Sequence, residues 1–142
     1  MIHQFISDIC DILNIPIPSV SFDTSNFSTD TMMAQVNSSG DTIYLKKYDK
    51  PNPDQLFSIA HELRHIWQIK NHNDLYFYNY QTVENIGIEK YNLQPAEVDA
   101  NAFASIVMVD FFHLQPQYKG LSNSVICAIK NHITEIITEL SG

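Results

Sequence analysis

Residues 58–67 read Ser58-Ile59-Ala60-His61-Glu62-Leu63-Arg64-His65-Ile66-Trp67, or SIAHELRHIW. Two histidines stand four apart, and a glutamate follows the first. Their chemistry depends on whether they share the face of a helix, and the neighbouring residues decide that. Leu56, Ile59, Ala60, Leu63, Ile66 and Trp67 recur at threes and fours, the spacing of one apolar helical stripe. Upstream, Asn52 offers an N-cap, Pro53 suits the first helical position and Asp54 sits in the first turn. Gln55 stands where a capping box wants its amide. The spacing predicts a helix from Pro53 to about Lys70, ended by Asn71-His72-Asn73-Asp74.

Positions four apart on a helix differ by only about 40° in direction. His61 and His65 therefore point the same way, one turn apart, as two imidazole ligands of one tetrahedral Zn²⁺ would. Glu62 is one residue off that line, placed beside the metal to take a proton from a water that the metal activates. The plain alternative is a helix that carries two surface histidines. A catalytic zinc needs a third protein ligand and one open position. An extended motif with Gly at 68 and His at 71 is excluded, because those positions hold Gln68 and Asn71. A glutamate from a second helix remains. The segment Pro95-Ala96-Glu97-Val98-Asp99-Ala100-Asn101-Ala102-Phe103-Ala104 supplies Glu97. Asn101, four residues on, shares its face and is placed to hold the far nitrogen of a ligand histidine. Asp99 is the rival ligand, about 200° around the helix from Glu97. An acid in the first turn of a helix is also favoured by the helix dipole alone. Ala100 and Ala104 are small enough for this helix to approach the first closely.

The remaining chain frames these two helices. Residues 2 to 13 carry Ile2, Phe5, Ile6, Ile9 and Leu13 at helical spacing, with Pro16 and Pro18 beyond. Residues 31 to 47 alternate as a hairpin turning at Ser38-Ser39-Gly40-Asp41. The strand around Ile43 to Lys46 is a candidate edge for an extended substrate. Residues 74 to 94 read as a long connection rich in tyrosine. A helix from Ala96 to about Phe112 is apolar on most sides and belongs in a core. An amphipathic helix follows from near Ser122. The expected fold is α+β, a single domain over 1–142 with a small antiparallel sheet near residues 20 to 47 packed on helices.

With 142 residues and 44% hydrophobic content, the chain is long and apolar enough for one core. A net charge of −8, with scattered Lys and Arg, argues against direct nucleic-acid binding and against membrane-surface binding. Cys10 and Cys127 read as two buried thiols, and the N-terminal run is broken by Asp8 and Asp11, so a cytoplasmic protein is expected. His3, His113 and His132 read as surface or terminal histidines. For the group that helps hold an oxyanion, the candidates are Tyr76, Tyr78, Tyr80, His72 and Tyr91.

The pair AHELRH and EVDANAFA resembles the ImmA/IrrE family of metallopeptidases, which are gluzincin-type zincins. Glu97, Asp99, Ala100, Asn101, Phe103 and Ala104 match the family's second helix position by position, and the resemblance covers roughly residues 30 to 112. The chain departs from the family after Ala104, where Ser105-Ile106-Val107-Met108-Val109-Asp110 lacks the usual proline. The resemblance implies a zincin-like fold, with His61, His65 and Glu97 as zinc ligands and Glu62 as general base. It also implies a protein substrate, such as the repressor of a phage or mobile element. The competing expectation is a catalytically weak zincin-fold protein that acts by binding a regulatory partner.

Overall fold

The computed structural model describes residues 1–141 and is α+β, with six helices and a three-stranded sheet among them. The chain forms two compact units, Met1–His72 and the residues from Asn73 on.

The first unit opens with α1 (Ile2–Leu13), which buries Phe5, Ile6, Ile9, Cys10 and Leu13. It stops before Pro16, because Asn14 enters the left-handed region (φ 54°, ψ 49°) and the chain closes back on the last carbonyls. Asn is one of the few residues that tolerates that conformation. Strands β1 (Ser19–Ser21), β2 (Ala34–Val36) and β3 (Thr42–Leu45) follow, in the order β1-β3-β2.

The hairpin forms as its turn residues predict. Asn37 Oδ1 accepts from the Asp41 and Thr42 amides, and Gly40 takes the positive φ of 72°. The expectation of an antiparallel sheet needs correction. β2 pairs with β3 antiparallel, but β1 pairs with β3 parallel, with Val20 opposite Ile43, so the sheet is mixed. A tight turn forces β2 and β3 to run in opposite directions. Residues 22–33 are long enough to return the chain to the other side of the sheet, so β1 can run alongside β3. β3 is therefore the central strand and has no edge to offer, contrary to expectation. The open edges belong to β1 and β2. On β2 the ladder toward β3 uses Met33 and Asn37, so by alternation the Ala34 and Val36 backbones face the open side.

Helix α2 (Pro53–Phe77) begins where predicted, with Asn52 Oδ1 accepting from the Asp54 amide. Gln55 is used differently from a capping box. Its side chain is buried, and its amide nitrogen donates to the carbonyls of Lys46 and Met33, tying the helix start to the open end of the hairpin. Leu56, Ile59, Ala60, Leu63 and Ile66 are fully or almost fully buried. A fully buried Leu or Ile contributes about 2 kcal/mol, so this face anchors the helix firmly. The predicted stop at residues 71–74 is a break rather than an end. His72 leaves helical geometry (φ −145°, ψ 39°), and helix resumes to Phe77.

The second unit holds two short helices, α3 (Val83–Ile86) and α4 (Ile88–Asn92), and two long ones, α5 (Pro95–Phe112) and α6 (Asn123–Ser141). α5 starts with Pro95 in its first turn and buries residues on nearly every side, as its composition predicts. α6 packs along α5 through Val125, Ile129 and Ile136. Two expectations fail here. Cys127 is exposed on α6 rather than buried. His132 is not a plain surface histidine. Its Nε2–H donates to Asp99 Oδ1 at 2.7 Å and its Nδ1–H to Glu135 Oε2 at 2.8 Å. No helix among the described residues is long and apolar enough to cross a membrane.

Candidate metal centre

Helix α2 carries the first half of the site. One turn of helix sets the Nε2 atoms of His61 and His65 3.0 Å apart, with ring planes nearly perpendicular. His65 is largely buried, and its Nδ1–H donates to Oε1 of Gln68 at 2.8 Å. Gln68 itself is fully buried. Glu62 Oε2 lies 4.0 Å from His65 Nε2. That is beyond hydrogen-bond length from this nitrogen and within reach of its charge. On the same helix, the Arg64 guanidinium lies 3.7 Å above the Trp67 ring, and the His72 ring centroid is 4.9 Å from that of Trp67. His72 thus serves the packing around the helix break.

Glu97 occupies the first turn of α5 and is 4% exposed, far too buried for a mere cap-region acid. The Tyr80 hydroxyl donates to its Oε2 at 2.8 Å. The same hydroxyl is 2.8 Å from that of Tyr91. Tyr80 has one proton and an ionised carboxylate only accepts, so Tyr91 provides the proton of the second bond. Burial, the nearby Glu97 charge and the Tyr91 contact push the Tyr80 hydroxyl far above the ordinary tyrosine range, so it stays a donor. Tyr80 is held in place by a clasp. Gln94, the N-cap residue of α5, accepts from the Gln81 amide at 2.7 Å and donates to the Gln81 carbonyl at 3.1 Å.

His61, His65 and Glu97 form a group able to hold a metal ion, with one ligand atom from each lying within 4.8 Å of the others. Asp99, the rival ligand, is 1% exposed and engaged by His132. Among the tyrosines expected near an oxyanion, Tyr80 sits on Glu97, Tyr91 on Tyr80, and Tyr76 is 3.4 Å from Asp99 Oδ1. Tyr78 is 86% exposed. Asn101 lies half-buried one turn beyond Glu97, and its carbonyl accepts from Ser105 Oγ. The residue that sequence reasoning missed is Gln68. Its signal was its place three residues after His65, which puts it on the same helical face. Comparison with protein families, with curated proteins and with solved structures finds no match to this chain.

Proposed function

We propose that the chain is a zinc-dependent endopeptidase of zincin type, akin to the ImmA/IrrE metallopeptidases, acting on a protein substrate such as a phage or mobile-element repressor. The observation that carries this reading is the convergence of His61, His65 and Glu97 with Glu62 just off the histidine pair. Two imidazoles and one carboxylate are the donor set of an open catalytic zinc site, whereas closed structural sites draw mainly on cysteine. The donor chemistry fits as well. Gln68 Oε1 accepts a hydrogen bond from the Nδ1–H of His65, which leaves Nε2 as the lone-pair nitrogen facing His61. The His61 Nε2 atom lies 3.0 Å from it, close enough for both nitrogens to reach one cation.

His61, His65 and Glu97 would hold the metal, and zinc would supply Lewis acidity toward a peptide carbonyl and a water at neutral pH. Glu62 takes the proton from the attacking water and returns it to the leaving amine. Tyr80 keeps Glu97 in a fixed orientation by its donated bond. The open β2 edge, with outward Ala34 and Val36 backbones, offers an extended substrate main-chain partners that the central strand β3 cannot.

The test is zinc content by elemental analysis, paired with cleavage of a mixed peptide library. The wild-type chain is expected to hold one zinc and to cut. Glu62→Gln is expected to keep the zinc and lose cleavage. Zinc without cleavage in the wild type would instead support a partner-binding zincin fold, and a chain that never takes up metal would end the metallopeptidase reading.

A further inference from the structure

We propose that Gln68 is a positioning residue of the metal centre. By accepting from Nδ1 it fixes His65 as the tautomer that presents the Nε2 lone pair, and by being an amide rather than a carboxylate it leaves the site electron-poor. This inference rests on the zinc reading above. Free histidine exchanges between two tautomers, and only one of them leaves Nε2 able to bind a metal. A carbonyl oxygen can only accept, so the 2.8 Å contact from Nδ1 to Gln68 Oε1 selects that tautomer. Full burial of Gln68 removes water as a competing partner and holds the amide in one orientation. Because i and i+3 side chains adjoin on a helix, the partner travels with the ligand on α2. His65 is therefore aligned before any metal arrives.

The choice of an amide has a chemical consequence. A carboxylate at the same place would push charge through the imidazole, raise its basicity and tighten the metal. The neutral amide orients the ring without adding charge. Tyr80 acts in the same sense on the other ligand, because its donated bond withdraws charge from Glu97. Both contacts favour a metal that remains strongly Lewis-acidic and exchanges with solution more readily than one backed by carboxylates.

Two measurements test this. The first uses the metal-free chain with ¹⁵N-labelled histidine, and reads the tautomer of His65 from its two-bond ¹H–¹⁵N correlations. The Nδ1–H form is expected in the wild type, with mixed tautomers in Gln68→Met, which keeps the shape and removes the acceptor. An Nε2–H signature for His65 in the wild type overturns the proposal. The second is zinc competition against a chromophoric chelator. Gln68→Met is expected to weaken zinc by about 10- to 100-fold, and Gln68→Glu to bind more tightly than the wild type. Equal zinc affinity in the wild type and Gln68→Met overturns the proposal while leaving the metal site standing. A wild type that binds no zinc defeats the metallopeptidase reading instead, and the tautomer measurement still decides what Gln68 does.

Discussion

His65 is buried and His132 half-buried, and the two are held in opposite ways. His65 gives one nitrogen to a neutral amide, Gln68, and turns the other toward His61. His132 gives both nitrogens to carboxylates, Asp99 at 2.7 Å and Glu135 at 2.8 Å. The second arrangement favours a protonated ring. The Asp99 hydrogen bond raises the His132 pKa above 6.5 against the opposing cost of burial, with Glu135 adding to the rise. A protonated imidazole has no lone pair and cannot bind a metal. The difference shows that the number of histidines does not define a site. What the second ring nitrogen meets does.

Breaking the first arrangement should have the largest effect. His61→Ala removes one of two imidazole ligands, and loss of stoichiometric zinc by elemental analysis is the expected result. Retained zinc in that variant would count against the site. On the other side, His132→Ala removes the 2.7 Å contact from the ring to the buried Asp99, which Tyr76 also touches. Losing one hydrogen bond to a charged group should destabilise the fold by about 2 kcal/mol. Urea denaturation would register this, and zinc content should stay unchanged. If His132→Ala lost zinc while remaining folded, the two histidines would not be as separate in role as drawn here.

Smaller effects sharpen the contrast. Tyr80→Phe deletes the bond that orients Glu97 without altering packing volume much; the lost orientation should outweigh the charge returned to the carboxylate and weaken zinc about tenfold in chelator competition. The His132 contact also gives a pH dependence of known sign. Its folded pKa is raised, so its stabilisation is complete below the unfolded value of 6.5 and is lost as pH rises through the higher folded value. Denaturation midpoints should therefore fall on going from mildly acid to alkaline buffer. His132→Gln should flatten that slope, and an unchanged slope would remove His132 as its source.

Much of this was legible in the sequence because it rests on local repetition. The helices at residues 2–13, 53–70 and 96–112 follow from apolar spacing, and the turn at Ser38 to Asp41 from its residue types. The facing of His61 and His65 follows from the helical repeat. Glu97 could be singled out only by elimination and by the likeness of its helix to a known pattern. What the sequence hid depends on distant pairing. Ser19–Ser21 pairs with β3 across 20 positions of chain, and its three residues are too few to establish an alternation. The buried roles of Gln55 and Gln68 and the clasp of the half-buried Gln94 were equally hidden, since a glutamine reads as a surface residue until its partner is known. His132 looked exposed for the same reason, with Asp99 lying 33 positions away in the chain.

The bonds of Gln55 have a further consequence. Its amide grips Met33 and Lys46, where the two strands part, while Asn37 closes the other end. A slip of one residue between β2 and β3 would turn Ile43 and Leu45 out toward water and break the grip at both ends together. The hairpin is thus stapled against sliding by two side-chain amides. A misaligned ribbon cannot satisfy Gln55 when α2 docks, so the motif helix seats best on a correctly aligned one.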